Sequence, residues 1–305
     1  MGRIRTVLGD IPPEDFGLAL VHEHVMCDFV GAEKVSKDRY DAKEVRSVML
    51  PYLEEIRRLG VSGFVDCTPA FLGRDAELLA DLSKASKMHV LTNTGLYKEP
   101  YLPKCVWDLS VDRLAEAWVE EIEQGIDGTP IKAGFIKIAV NPGKIVPIQQ
   151  KIVRAAALCS ASTGAAIACH TENGEAAMHV LEILEGERAD LSRLIVVHCD
   201  SEDDQGVHRE IAYRGAWIEY DGVREENAEK ILRMLKFVEK EGLENRLLLS
   251  QDAGWYNVGE DLGGKIRGYA YLVREFLPKV LDRGFGEEFA ETVMRKNPAE
   301  AFQMK

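Results

Sequence analysis

The chain has 305 residues, of which 46% are hydrophobic, and a formal net charge of −13 at pH 7. This length and composition allow one large buried core, while the acidity repels nucleic acid and anionic membrane surfaces. Neither is therefore expected as a partner. The acidic residues are spread along the chain, which is typical of a solvated surface.

Cysteine usage and the absence of long apolar runs indicate the cellular compartment. The six cysteines form no CxxC pair, and four lie in or beside apolar runs, as reduced buried thiols do in a cytoplasmic enzyme. The first residues lack the apolar segment of a secretory signal. No run of about 18 apolar residues is present, so we expect a cytoplasmic protein without a membrane span.

Eight short apolar runs each end in a polar or charged residue and lead into a longer amphipathic segment. Runs that are apolar on both faces are typical of buried parallel strands. The eight predicted strands cover residues 17–24, 60–67, 89–95, 134–140, 164–171, 193–200, 215–222 and 246–253.

Hydrophobic residues recur with helical spacing between these runs. The spacing predicts helices over residues 42–60, 111–125, 148–162 and 226–242, and Pro51 predicts a kink or a break in the first. Eight strand–helix units predict a single-domain (β/α)8 TIM barrel over residues 1–305. The alternative, an open doubly wound sheet, requires a Gly-rich GxGxxG turn after its first strand, and none follows here.

Active sites of such barrels lie at the C-terminal ends of the strands, so the residues that end the eight runs are the candidates. These are His22 and His24 on the first run, Asp66 on the second, Lys137 on the fourth, His170 on the fifth, His198 on the sixth and Asp252 on the eighth. Histidine and carboxylate side chains are common metal ligands. The HxH motif alone fits two core histidines equally well, but four histidines and Asp252 at equivalent strand ends favour a metal site.

His22 and His24 lie two residues apart on one strand. Because strand side chains alternate, both histidines point into the barrel and Glu23 points outward. Lys137 lies inside an apolar strand, where a charged amine is unfavourable unless it is paired. A neutral buried lysine adds CO₂ to form a carbamate that bridges two cations. The alternatives are a lysine that reaches solvent or one that pairs with Asp252.

Several segments resemble the phosphotriesterase family of the amidohydrolase superfamily, in the right order and over nearly the whole chain. They are residues 17–25, 72–79, 133–140, 168–172, 196–200, 248–252 and 296–302. Ala19 departs from the threonine that is usual in the family's first strand, but this position holds no ligand.

The resemblance implies a (β/α)8 barrel with two divalent metal ions per chain. One ion is held by His22, His24 and Asp252, the other by His170 and His198, and carboxylated Lys137 bridges the two together with a water or hydroxide. Zinc is the expected metal, although cobalt, manganese and iron suit the same ligands. The resemblance also implies a homodimer.

This constellation predicts hydrolysis by a hydroxide that the two metals share. Asp252 is placed to take the proton and pass it toward the leaving group. Tyr97 resembles the tyrosine with which lactonases of the family contact the metal-side substrate oxygen, and its alternative role is a packed aromatic at the barrel rim. Asp200 is a candidate partner of His198, and Arg74 is a candidate structural ion pair.

The resemblance ranks lactone opening first, hydrolysis of phosphotriesters or acyl-homoserine lactones second, and metal binding without catalysis last. Short charged loops after the seventh and eighth strands predict a small polar or sugar-type lactone as the small-molecule substrate. The alternative for these charged side chains is simple solvent exposure. The candidate substrate contacts are Tyr97, Glu172, Arg224, Trp255, Lys265 and Arg267.

Overall fold

The computed structural model describes residues 2–304, in which short strands alternate with helices. An antiparallel hairpin, β1 (Ile4–Thr6) and β2 (Gly9–Ile11), comes first, and the later strands pair in parallel. These later strands are β3 (Ala19–Cys27), β4 (Gly63–Asp66), β5 (His89–Leu91), β6 (Asn93–Thr94), β7 (Phe135–Ala139), β8 (Ile167–His170), β9 (Leu194–Val197), β10 (Trp217–Tyr220), β11 (Leu247–Leu249) and β12 (Ala253–Asn257).

Local sequence signals place several helix ends. The Asp41 side chain accepts a hydrogen bond from the backbone of Lys43 at the start of the first helix, and Gly164 and Gly242 end two others in the left-handed conformation. The helices are α1 (Ala42–Arg58), α2 (Ala76–Ser86), α3 (Cys105–Asp108), α4 (Val111–Glu123), α5 (Pro147–Thr163), α6 (Gly174–Gly186), α7 (Gln205–Tyr213), α8 (Ala228–Glu241), α9 (Leu277–Asp282), α10 (Glu287–Glu291) and α11 (Asn297–Phe302).

Two interrupted strands connect a six-stranded sheet, in the order β11-β10-β9-β8-β7-β6, with a four-stranded sheet, in the order β12-β3-β4-β5. Only Thr92 separates β5 from β6, and residues 250–252 separate β11 from β12. In each case the first half pairs with one sheet and the second half with the other. The two interrupted strands therefore complete the eight strand positions of a (β/α)8 barrel.

Alternate strand residues fill the barrel interior. Leu20 packs outward with Met49 and Leu53 of α1, whereas its neighbour Val21 joins a separate inner cluster. The members that other strands contribute to this inner cluster include Val65, Leu91, Phe135, Ala168, Val197, Trp217 and Leu248. This cluster is apolar, so the barrel below the strand ends is a packed core.

The predicted (β/α)8 fold is confirmed. Each of the eight apolar runs contains a barrel strand, and the four predicted helices are present with ends shifted by two residues or fewer. The open-sheet alternative is wrong because β12, at the end of the eighth run, pairs with β3 of the first. A break at Pro51 is also wrong, since α1 continues through this exposed proline.

Within residues 2–304, no helix combines the length and the apolar character needed to cross a membrane. That the chain forms one domain over residues 1–305 stays a prediction.

Candidate metal centre

The polar side chains that end the strands meet in one cavity of about 160 Å³. Tyr97, Trp255, Cys27, Phe29 and Leu72 form part of its wall. The remaining lining is the complete set of expected ligands, namely His22, His24, Lys137, His170, His198 and Asp252. A larger groove of about 790 Å³ lies along residues 5–10 and 129–132, but neither histidine nor cysteine lines it. The donor set, not the volume, identifies the site.

A β-bulge in β3 directs its two histidines into this cavity. Leu20 pairs with Phe64 and Glu23 with Asp66, so β3 contains one residue more than β4 between these two pairs. Val21 belongs to the inner apolar cluster, so strict alternation would turn Glu23 inward and both histidines outward. The extra residue reverses this pattern, and His22 and His24 consequently line the cavity.

His22, His24 and Asp252 form a group whose ligand atoms all lie within 4.8 Å of one another. Asp252 Oδ1 is 3.1 Å from His24 Nε2 and 3.8 Å from His22 Nε2. Two ligands of a tetrahedral zinc ion, each about 2.0–2.1 Å from the metal, are roughly 3.3 Å apart. The spacing and chemistry of these three donors fit a divalent ion.

The remaining expected ligands lie beside this group. His170 Nδ1 is 2.8 Å from His198 Nε2, so both rings present a nitrogen to the same point. Lys137 Nζ is 3.4 Å from His22 Nε2. The two imidazoles suit a second divalent ion, and Lys137 adjoins the first group through His22.

Hydrogen bonds on the far side of three rings fix their orientation. Thr68 Oγ1 is 2.8 Å from His24 Nδ1, and Asp221 Oδ1 is 2.7 Å from His198 Nδ1. His22 Nδ1 lies 2.8 Å from Asp221 and 2.6 Å from Glu219. Because each Nδ1 is engaged, each Nε2 is left to face the cavity, which is the arrangement that orients histidine ligands in metal sites.

Asp221 therefore holds two ligand rings at once. His22, His198 and Asp221 also form a compact group of potential donors, but the Asp221 contacts are with the Nδ1 atoms that face away from the cavity. Burial opposes its charge, yet His198 and His22 hold the pKa of Asp221 well below its usual range. Burial and the neighbouring Asp221 raise the pKa of Glu219 well above its usual range. Asp221 is therefore the ionised member of the pair, and it presents one negative charge to the rings of His22 and His198.

Lys137 is 1% exposed, which excludes a side chain that reaches solvent. Within residues 2–304, its amine makes no ion pair with a carboxylate, so the expected alternative of pairing with Asp252 is also absent. Its polar contact is the nitrogen of His22. A fully buried ammonium that forms no ion pair is unfavourable, and conversion to a carbamate would remove that positive charge.

Burial keeps two of the candidate ligand rings neutral. It lowers the pKa of His22 to about 4, assisted by Lys137, and it lowers the pKa of His170 well below the usual value. Burial also opposes protonation of His24, but Cys27 and Asp252 beside it raise its pKa to about 10. Since neutral imidazole is the metal-binding form, His22 and His170 are ready ligands, whereas an ion would displace a proton from His24.

Two expected ligands sit in strained backbone. His198 has φ 63° and Asp252 has φ 49°, in the left-handed region that non-glycine residues rarely adopt. Trp255, which lines the same cavity, has φ 42°. Left-handed residues concentrate at functional sites, where the surrounding structure holds them against the strain.

The sequence profile of the Phosphotriesterase family matches residues 2–302. The chain belongs to the phosphotriesterase family. Among curated relatives of this phosphotriesterase-family protein, the Phosphotriesterase homology protein of Escherichia coli (strain K12) is 33% identical over 291 residues, covering 94% of this chain and 98% of that protein.

Other relatives have names that describe the hydrolysis of different bonds. The N-acetyltaurine hydrolase of Tetraodon nigroviridis is 26% identical over 350 residues, covering 100% of this chain and 99% of its own. A lactonase structure from Listeria monocytogenes matches with a TM-score of 0.87 and 28% identity, covering 99% of each chain. These relatives are hydrolases, so this phosphotriesterase-family protein has hydrolase neighbours that act on different substrates.

Three predicted substrate contacts lie at or beside the cavity of this phosphotriesterase-family protein. The hydroxyl of Tyr97 is 3.0 Å from His170 Nδ1, and the ring of Trp255 is 5.6 Å from that of His24. Glu172 Oε1 is 3.2 Å from His170 Nε2 but does not line the cavity. Their roles toward a substrate stay predictions.

The other predicted substrate contacts lie outside the cavity lining. Arg224 and Lys265 are exposed. Arg267 donates hydrogen bonds to the backbone carbonyls of Gln251 and Asp252, with the former 2.5 Å away. Its guanidinium therefore supports the backbone of the site, and the cavity offers no support for a direct substrate contact by these three cations.

The second-strand residue Asp66 and the charged residues Arg74 and Asp200 have structural contacts. Asp66 accepts hydrogen bonds from the backbone of Val25 at 2.7 Å and of Thr68 at 3.0 Å. Arg74 forms the expected ion pair, a bidentate contact with Glu121 at 2.7 and 2.8 Å. Asp200 accepts a hydrogen bond from the backbone of Asp221 at 3.2 Å. It therefore contacts the residue that binds His198 Nδ1, and not His198 itself as predicted.

Sequence reasoning missed Glu219, Asp221 and Lys98. The two carboxylates alternate at the end of the seventh run, WIEYD, and a pair of acids two apart in an apolar strand was the available signal. Lys98 follows Tyr97; its Nζ contacts Glu172 and lies 3.1 Å from His170 Nε2. No local pattern identifies Lys98, because its contacts come from a different strand end.

Proposed function

We propose that this protein is a binuclear metal-dependent hydrolase that opens small polar or sugar-type lactones. The observation that carries the proposal is the meeting of His22, His24, His170, His198, Asp252 and Lys137 in one cavity, with Tyr97 beside them. The first five offer the nitrogen and oxygen donors of a catalytic divalent metal site. Lactone opening is favoured by the lactonase among the structural relatives and by the presence of Tyr97.

Divalent ions at such a site supply an acidified water and polarise the substrate carbonyl. Asp252 is the natural proton acceptor, because its carboxylate lines the cavity and remains 30% exposed while the neighbouring His22 is 2% exposed. Burial opposes its charge, but the hydrogen bond from His24 and the nearby His22 and His198 lower its pKa well below the usual value. Asp252 is thus ionised at neutral pH, which is the form that a metal ligand and a proton acceptor both require.

Tyr97 is placed to position the substrate. Its hydroxyl reaches the edge of His170 and faces the cavity, where it can donate a hydrogen bond to a carbonyl oxygen. Burial raises the pKa of Tyr97 well above its usual value, so the group keeps its proton and acts as a donor. Its ring is also 6.0 Å from that of Tyr101, which holds it at the rim.

The proposed carbamate forms when the neutral Lys137 amine bonds to the carbon of CO₂ and releases a proton. The product is an anion at a fully buried position where, among residues 2–304, the Lys137 amine forms no ion pair. Beside His22 Nε2, 3.4 Å from the present amine, that anion would supply oxygen donors to divalent ions held by the neighbouring histidines and Asp252. Zinc is the proposed metal, with cobalt, manganese and iron as alternatives.

The cavity supports a small substrate more than a long one. At about 160 Å³ it lies below the size of typical drug-binding clefts, and Phe29, Leu72 and Trp255 close part of its wall. Lys98 and Glu172 place a polar pair beside His170. We therefore rank small hydroxylated lactones above acyl-homoserine lactones with long acyl chains, and above phosphotriesters. A homodimer in the cytoplasm remains part of the proposal.

Amide hydrolysis is the second candidate, because a relative that covers the whole chain is named an N-acetyltaurine hydrolase. A substrate panel at about 1 mM, near the top of usual KM values, separates these possibilities. The panel contains a hydroxylated γ- or δ-lactone, a long-chain acyl-homoserine lactone, a paraoxon-type triester and N-acetyltaurine, each with and without chelator.

We expect the hydroxylated lactone to have the highest kcat/KM and chelator to abolish its turnover. A tenfold preference for the long-chain lactone, about 1.4 kcal/mol in transition-state binding, would overturn the substrate proposal and leave the hydrolase intact. If N-acetyltaurine were the one substrate turned over, the hydrolysed bond would be an amide and not a lactone ester. Absence of turnover in every arm by a metal-loaded protein would favour metal binding without catalysis. The matched control is His170→Ala, which removes one proposed ligand and should reduce all metal-dependent rates.

A further inference from the structure

We infer that Glu23 is a positioning residue that holds Asp252 in its reactive geometry. Glu23 lies between His22 and His24 on β3, but the bulge turns its side chain away from the cavity that those histidines line. The side chain is fully buried. The proposed function assigns no role to Glu23, although glutamate is rarely enclosed completely and, within residues 2–304, no cationic side chain forms an ion pair with it. Its contacts lead to the eighth barrel strand.

Glu23 accepts hydrogen bonds from four donors around the break between β11 and β12, one of which is the Gln251 side-chain amide at 3.4 Å. Its Oε1 accepts from the Ser250 hydroxyl at 2.8 Å and from the Gln251 backbone at 3.2 Å. Its Oε2 accepts from the Ala253 backbone at 2.8 Å. The two backbone donors belong to the residues on either side of Asp252, so one carboxylate fixes both of its peptide neighbours.

The chain needs this support because residues 250–252 leave the regular strand ladder. β11 ends at Leu249, paired with β10, and pairing with β3 resumes at Ala253. Between them Asp252 takes φ 49°, a conformation that a non-glycine residue holds only when its surroundings impose it. The Glu23 side chain replaces the missing ladder contacts with hydrogen bonds from the backbone N–H groups of Gln251 and Ala253.

Other contacts secure the same segment from its remaining sides. The Asp252 backbone N–H donates to the carbonyl of His22 at 3.0 Å, and Arg267 donates to the carbonyls of Gln251 and Asp252. The Ser250 hydroxyl that binds Glu23 also accepts from the His22 backbone at 2.9 Å. The result is that Asp252 Oδ1 lies 3.1 Å from His24 Nε2. Two proposed ligands and the residue that aligns a third thus come from one strand.

The test rests on the proposed metal centre and compares Glu23→Gln with the wild-type protein. Glutamine keeps the shape but turns one acceptor into a donor, which faces the donors of Ser250 or Ala253. The matched control is Asp75→Asn, which alters another buried carboxylate that accepts two backbone N–H groups, at the start of α2 and outside the cavity. Zinc binding to metal-free protein is measured by equilibrium dialysis, and kcat and KM are measured on the lactone.

We expect Glu23→Gln to bind one zinc ion 10- to 100-fold more weakly and to lose kcat by a similar factor, with KM changed less than about threefold. Asp75→Asn should match wild type in zinc affinity and kcat. Wild-type zinc affinity and kcat in Glu23→Gln, or equal losses in both variants, would overturn the inference. If Glu23→Gln does not fold, Glu23→Asp replaces it: its shorter carboxylate should show a smaller loss in the same direction, and wild-type behaviour would equally overturn the inference.

Dialysis separates this inference from the proposed lactonase activity. A wild-type protein that binds two zinc ions but opens no lactone contradicts the proposed function, while the zinc affinity of Glu23→Gln still decides whether Glu23 holds Asp252. Weak zinc binding in Glu23→Gln then supports the inference, and unchanged binding refutes it.

Discussion

Replacing Asp221 by asparagine should weaken metal binding more than replacing its neighbour Glu219 by glutamine. Asp221 contacts the Nδ1 atoms of both His22 and His198, at 2.8 and 2.7 Å, whereas the contact of Glu219 with a ring is to His22 alone, at 2.6 Å. The Glu219→Gln variant leaves Asp221 on both rings. The Asp221→Asn variant offers one acceptor where two rings each present a donor.

The magnitude follows from the number of rings affected. Loss of the partner that orients one metal-binding histidine typically costs about 10- to 100-fold in affinity or activity. With two rings sharing Asp221, we expect a loss on the order of 100-fold, or about 2.8 kcal/mol. This is just below the roughly 3–6 kcal/mol of two hydrogen bonds to a charged group, at about 1.5–3 kcal/mol each, because asparagine keeps one acceptor. Glu219→Gln should lose less than about threefold.

The assay is competition for zinc between metal-free protein and a chelator of known affinity, with circular dichroism and thermal unfolding as controls for folding. Equal affinities of Asp221→Asn and wild type would refute the role given to this carboxylate. A loss of zinc affinity in Glu219→Gln as large as that in Asp221→Asn would show that the two acids act as one unit. The number of rings that each acid contacts would then not determine the loss.

Three further perturbations have expected outcomes. Lys137→Ala should lose the second ion and most activity, with partial rescue by a short carboxylic acid; an unchanged metal content contradicts the carbamate. Tyr97→Phe should lower kcat about tenfold without changing the metal content, and a loss of metal would instead make Tyr97 structural. Arg74→Met breaks the buried contact with Glu121 and should destabilise the fold by about 3 kcal/mol in denaturant unfolding while leaving zinc affinity unchanged. A change in the free energy of unfolding of less than about 0.5 kcal/mol, the usual size of a surface effect, would refute that role.

The strand positions could be predicted because short runs that are apolar on both faces have few other interpretations. Their C-terminal residues then located the cavity, since a barrel brings its strand ends together. His170 and His198 are 28 residues apart in sequence, yet both are candidate ligands because each ends its run. The fold and the ligand candidates both rest on this one regularity.

The direction of His22 and His24 could not be derived from the sequence. Alternation within the HxH motif places both histidines on one face, but alternation counted from the inward-facing Val21 predicts the outer face unless the bulge is known. No sequence pattern in β3 marks the bulge. The inward direction of His22 therefore depends on an irregularity that the pairing of β3 with β4 reveals.

Side chains that support the site were harder to predict than those that line it. Asp200 was expected to hold His198, but Asp221 does so from the neighbouring strand. Arg267 was expected to face a substrate, but it binds backbone carbonyls. Such contacts depend on how strand ends lie relative to one another, and a spacing within one segment carries no information about them.

The most direct test is a titration of metal-free protein with zinc while the opening of a hydroxylated γ-lactone is followed. The cavity brings together enough donors for two ions, so activity should rise from zero and reach its plateau at two equivalents per chain. A plateau at one equivalent would contradict the binuclear centre. Full activity before any zinc is added would contradict metal-dependent hydrolysis altogether.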